Sequence, residues 1–130
     1  MSRISTKEYS IAPDGQKYSL PSPTDYKQEY RRLKRIVSQH RKDGKEIVVV
    51  MGLGFVGVVM AAVVADSVDE KGRSRKFVIG MQRPSIRSFW KIPLINRGIS
   101  PMKSEDPEVE NIIRRTVLEK KTLIGTFTYD

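Results

Sequence analysis

The chain contains no cysteine. That excludes disulfides, thiolate zinc sites and cysteine nucleophiles, and it fits a reducing compartment, so a cytoplasmic location is expected. Histidine is nearly absent too: His40 is the one example. With no second ligand or nucleophile beside it, it reads as a surface residue. No metal site is expected in these 130 residues, and His40 is not expected to be catalytic. Acidic residues are scarce, 15 against 24 Lys+Arg, for a net charge of +9. This balance favours anionic partners such as nucleotides, nucleic acids or lipid headgroups, although a solvated basic surface explains it equally well. The opening MSRISTKEYS lacks the apolar core of a signal peptide, and no internal repeat or low-complexity tract is present.

What is present suffices for one modest domain: 38% hydrophobic and 30% charged residues do not describe a disordered chain. Met1 to Pro21 is polar and interrupted by Pro13, Gly15 and Pro21, which predicts an extended or loosely ordered arm. A helix follows. Ser22 suits the N-cap, Pro23 the first helical position, and Asp25 the third in the manner of a capping box. Tyr26, Tyr30, Leu33 and Val37 form one apolar stripe, and Gly44 ends the helix. Its other faces carry Arg31, Arg32, Lys34, Arg35, Arg41 and Lys42. Basic residues beside tyrosines raise nucleic-acid binding as a minor alternative, but no base-reading module is recognisable.

Ile47–Met51 is a β-branched run that predicts a buried strand, and Phe55 to Asp66, apolar nearly all round, predicts a buried crossover helix. DSVDEKGRSRK is a charged loop; FVIGM, Phe77 to Met81, is a second buried strand. Strand, helix and strand make a βαβ unit with parallel strands. Pro84 and Pro93 bracket a short helix, SIRSFWKI, and NRGISP is a turn. Asp106 and Pro107 then start a helix whose buried stripe is Val109, Ile112, Ile113 and Val117, and TLIGTFTY predicts a third strand.

Between the first strand and its helix, Gly52, Gly54 and Gly57 spell G-x-G-x-x-G. The first glycine permits the tight turn, the second lets a pyrophosphate approach the backbone, and the third lets helix and strand pack closely. The helix then offers unpaired N–H groups and a positive dipole end to the phosphates. A rival reading exists: Ile47 to Ala65 is 19 uncharged residues with basic residues before it, long enough for a membrane span. Against it, the glycines cluster at the start of the run, the residues before them suit a strand, and an anchor leaves the later strand and helix without a purpose.

These segments resemble the nucleotide-sugar dehydrogenases of the UDP-glucose and GDP-mannose dehydrogenase type. VVVMGLGFVGVVMAA is similar to their first strand, glycine turn and helix; FVIGMQ to their second strand; LINRGISPMKSEDPEVENII to the segment bearing an Asn-x-Gly-x-Ser-Pro turn; and TFTYD to a later strand. The resemblance covers about Ile47 to Asp130. It implies an α/β fold with a partial Rossmann-like parallel sheet in a partial dinucleotide-binding domain over 46–130; the N-terminal arm and basic helix over 1–45 are an extension outside the family pattern. It implies oxidation of the C6 alcohol of a UDP- or GDP-sugar to the uronate in two NAD-dependent steps. Gly52, Gly54, Phe55, Val56 and Gly57 would hold the pyrophosphate. The family's catalytic and sugar-binding parts lie beyond these residues, so this chain alone is expected to be inactive. A nucleotide-sugar would bind through those parts, the complete enzyme would form a homo-oligomer, and neither nucleic acid nor membrane is an expected partner. One departure stands out. Where the family has an Asp on the adenosine ribose, this chain has Gln82, followed by Arg83. NAD is the expected cofactor and NADP the alternative.

Overall fold

The computed structural model describes residues 8–104 and 106–128. Met1–Lys7 of the expected arm, Glu105, and Tyr129–Asp130 of the last strand segment lie outside the described residues. The fold is α/β. Three parallel strands lie in the order β3 (Glu46–Met51), β4 (Lys76–Met81) and β5 (Leu123–Thr126), with Val48 opposite Val78 and Ile79 opposite Ile124. Such an arrangement is a partial Rossmann-like sheet, as the βαβ pattern predicts. The central β4 is buried from Phe77 to Met81, as its unbroken apolar run requires.

β3 corrects one expectation. It is an edge strand rather than a fully buried one, and Val49 and Met51 are exposed. Helix α2 (Phe55–Asp66) corrects another, because it is apolar all round yet buried on one side only. Val58, Ala61, Ala62 and Ala65 pack against the sheet with Leu53, Val78 and Leu123, and the alanines allow that close approach. Val56, Met60 and Val63 face outward. The run proposed as a membrane span is thus divided into strand, turn and a 12-residue helix. No helix among the described residues is long and apolar enough to cross a membrane.

Helix α1 (Pro23–Lys42) starts at Ser22 with a full capping box, Ser22 Oγ accepting from the Asp25 amide and Asp25 from the Ser22 amide. Gly44, at φ +80°, follows its C-cap. Of the expected stripe, Leu33 is buried against Phe77 and Ile79 with Val37 beside it, whereas Tyr26 and Tyr30 remain exposed. α1 is also tied to β5. Glu29 accepts from Thr126 Oγ1 at 2.6 Å and holds Arg32 through a bidentate pair, and Arg32 donates to the Gly125 carbonyl. His40 is not a free surface residue: its ring stacks on buried Phe77 at 3.9 Å.

The expected loose arm includes a hairpin, β1 (Tyr9–Ile11) paired with β2 (Lys17–Ser19). Buried Ser10 accepts a hydrogen bond from the Trp90 amide at 3.0 Å, which fixes the hairpin to the start of α3 (Lys91–Asn96). That helix begins later than expected and runs through Pro93, which sits in its first turn where no N–H is needed. The NRGISP segment is its stop signal. Gly98, at φ +76°, donates to Ile95, Ile99 donates to Leu94, and the Asn96 side chain both donates to and accepts from the Gly125 backbone. Helix α4 (Pro107–Arg114) starts at Asp106 as expected and widens into a π turn over Arg115–Glu119. Arg115 and Lys120 both grip Asp66 at the end of α2, Arg115 through two bonds of 2.8 and 2.9 Å.

Candidate functional site

The glycine turn leaves the C-terminal end of β3 and enters α2. Gly52 takes φ +91°, a conformation that side chains resist, and its amide donates to the Met81 carbonyl. The chain therefore turns directly beside the end of β4. Leu53 then points inward and is fully buried, which leaves Gly80 opposite no room for a side chain: a methyl there would lie 2.8 Å from Leu53 Cδ2. The anchored Leu53 holds the turn down on the sheet.

Gly54 is different. Its backbone is extended (φ −71°, ψ −177°) and a methyl would meet nothing within 4 Å. Neither backbone nor packing requires glycine here, so the open space lies on the outer side of the turn. Gly54 is the N-cap of α2 and has no side chain to cap with. The first helical bond runs from the Val58 amide to the Gly54 carbonyl, so the amides of Phe55, Val56 and Gly57 have no acceptor among the described residues. Gly57 closes the geometry. A methyl on it would collide with the Gly52 carbonyl oxygen and lie 3.1 Å from that carbonyl carbon. Strand and helix can approach this closely only because position 57 has no side chain.

Gln82 stands just past β4, and its Oε1 accepts from the Leu53 amide at 2.8 Å. That bond brings Gln82 onto the turn. Arg83 follows it at the surface, and its guanidinium makes no ion pair with another described residue. The structure thus gathers Gly52, Gly54, Phe55, Val56, Gly57 and Gln82 at the C-terminal ends of two adjacent parallel strands, with Arg83 in the loop beyond.

Lys91 was not legible from the sequence. Its Nζ lies 3.5 Å from the Leu53 carbonyl oxygen, half-buried beside the Trp90 ring. Lys91 reaches the turn because α3 starts where the hairpin's Ser10 holds Trp90. A cation, three free amides and a helix dipole then converge on one outward-facing turn, an arrangement suited to a phosphate group. The open side of Gly54 is the space that such a group would fill. Among the described residues no cluster of histidine, aspartate or glutamate could hold a metal.

No protein-family model and no curated protein sequence matches the chain. Among solved structures, the crystal structure of NDP-N-acetyl-D-galactosaminuronic acid dehydrogenase from Methanosarcina mazei Go1 is similar to it. The identity is 33% with a TM-score of 0.55, over 67% of this chain and 17% of that one.

Proposed function

Because the chain carries a nucleotide-sugar dehydrogenase fold over two thirds of its length, and spans about a sixth of the solved structure it matches, we propose that residues 46–130 are the pyrophosphate-binding part of a nicotinamide-dinucleotide site in such an enzyme. The observation that carries this reading is the glycine turn. Gly52 bends the chain, Gly57 lets α2 start against β3, and the amides of Phe55, Val56 and Gly57 are left without acceptors beside the open flank of Gly54. Each of these features has a use when a pyrophosphate lies on the turn.

In this reading Gly54, Phe55, Val56 and Gly57 donate or give access to the phosphates, and Lys91 adds a positive charge at the rim. Gln82 and Arg83 stand at the adenosine ribose. The bound dinucleotide would supply hydride acceptance. The residues of this chain bind and orient it and perform no proton or covalent chemistry. The complete enzyme would oxidise the C6 alcohol of a UDP- or GDP-sugar to the uronate, with the sugar and the reacting groups held by parts beyond these 130 residues. Helix α1, in the N-terminal extension, then covers one face of the sheet through Leu33 and Val37.

Calorimetric titration of the folded 130-residue chain with NADH and NADPH tests the reading. Saturable binding of either one supports it; no heat from either, in a sample shown to be folded by circular dichroism, overturns it.

A further inference from the structure

The place where the family resemblance fails most clearly is Gln82, and the structure gives that residue an orientation. The Leu53 amide is a donor, so only the carbonyl oxygen of the Gln82 side chain can meet it. That fixes which way the amide group faces. Oε1 is engaged by the turn, and Nε2 presents two N–H donors away from it. A carboxylate at this place would offer acceptors to a ribose diol and would repel a phosphate. Gln82 offers donors and carries no charge.

The loop beyond has the same character. Arg83 and Arg87 are both exposed, and neither guanidinium has an ion-pair partner among the described residues. The loop closes on itself without them. Ser85 and Ser88 hydroxyls bond each other at 2.7 Å, Ser88 Oγ donates to the Arg83 carbonyl, and Trp90 Nε1 donates to the Arg87 carbonyl at 2.6 Å. Two arginines therefore sit on a tied loop, their guanidinium donors unused among the described residues. From Lys71 to Ser104 the sequence contains no Asp or Glu.

We propose that Gln82, Arg83 and Arg87 form a subsite for the 2′-phosphate of the adenosine ribose, so that the dinucleotide selected is NADP. The proposal rests on the reading of the glycine turn as a dinucleotide site. A ribose diol both donates and accepts, whereas a phosphomonoester carries nearly two negative charges at neutral pH and mainly accepts. A rim made of donors suits the second better. Arginine adds a planar fork matched to phosphate oxygens.

The test is calorimetric titration of the full chain with NADPH, NADH and 2′,5′-ADP, and with NADH in the presence of equimolar inorganic phosphate. NADPH is expected to bind about tenfold tighter than NADH, the effect of one charge-assisted hydrogen bond. 2′,5′-ADP should compete with NADPH, and free phosphate should not raise NADH affinity. Arg83→Ala is expected to reduce the preference to near unity, and Gln82→Glu, which keeps an acceptor for Leu53, to favour NADH. Circular dichroism of each variant checks that it is folded. Equal affinities, or tighter NADH binding, overturn the subsite while leaving the proposed function standing. A preference for NADPH that survives both Arg83→Ala and Arg87→Ala overturns the assignment to these residues. Binding of neither dinucleotide overturns the proposed function itself, and the subsite with it.

Discussion

Gly57→Ala sets local propensity against tertiary geometry. Within a helix, alanine is favoured over glycine by about 1 kcal/mol, so propensity alone makes this a stabilising change. The structure requires the opposite sign. The new methyl would collide with the Gly52 carbonyl oxygen and come within 3.1 Å of its carbon, and both are backbone atoms that no rotamer change can move. The only relief is for α2 to move off β3 or for the turn to open. Either loosens Leu53 from Gly80 and Val58, Ala61 and Ala65 from the sheet. Overpacking of this kind costs about 1–3 kcal/mol, and a backbone obstacle places it near ~3. For a domain of this size that lowers the melting temperature by roughly 10 °C. Urea unfolding followed by circular dichroism measures it directly as a lower midpoint at unchanged slope. Gly54→Ala is the paired control. Its methyl meets nothing, so its stability cost should stay below about 1 kcal/mol while dinucleotide affinity falls. A Gly57→Ala protein as stable as the wild type would refute the packing argument, and a Gly54→Ala protein with undiminished affinity would refute the placement of the phosphate.

Other positions give independent tests. Asn96→Ala leaves the Gly125 amide without its acceptor, and chemical denaturation should show a loss of about 2 kcal/mol. Asp66 is held down to about 2, first by its hydrogen bonds from Arg115 and then, against the opposing effect of burial, by Lys120. Its contribution is present above its ordinary value of 3.8 and is lost as the pH falls to about 2. Asp66→Asn should therefore cost about 1 kcal/mol at neutral pH, allowing for solvent screening of a partly exposed pair, and the gap from wild type should close in acid melts. Burial against Phe77, with the nearby Lys45 charge, lowers His40 from its ordinary 6.5, and Asp43 opposes this only in part. Because the unfolded chain takes up that proton first, stability should decline as the pH falls below 6.5. His40→Phe keeps a stacked ring and should flatten that slope in denaturation curves at successive pH values.

What could be read beforehand was whatever is decided locally. The capping box at Ser22, the Asp106–Pro107 helix start, the β-branched strands and the spacing of the glycines all depend on neighbours within a few residues. What could not be read depends on distant partners. The strands Tyr9–Ile11 and Lys17–Ser19 are too short and polar to show a period, and the hairpin is fixed to α3 by Ser10 meeting an amide 80 residues away. Lys91 reaches the turn across 38 residues. The apolar pattern of α2 was visible, but its outward half was not, because a helix apolar all round carries no sign of which side is covered. Gln82 was found by its place after β4, whereas the orientation of its amide came only with the Leu53 contact.

The bonds between α1 and β5 also bear on time. Glu29 meets Thr126 across 97 residues and Arg32 meets Gly125 across 93. Contacts that close such long loops must first overcome the entropy of loop closure, and they slow folding. Until β5 is in place beside β4, nothing holds α1 to the last strand, and Leu33 and Val37 have only part of their cover. Full docking of α1 thus waits on the last described strand, and until then the unfinished sheet is more open to other chains.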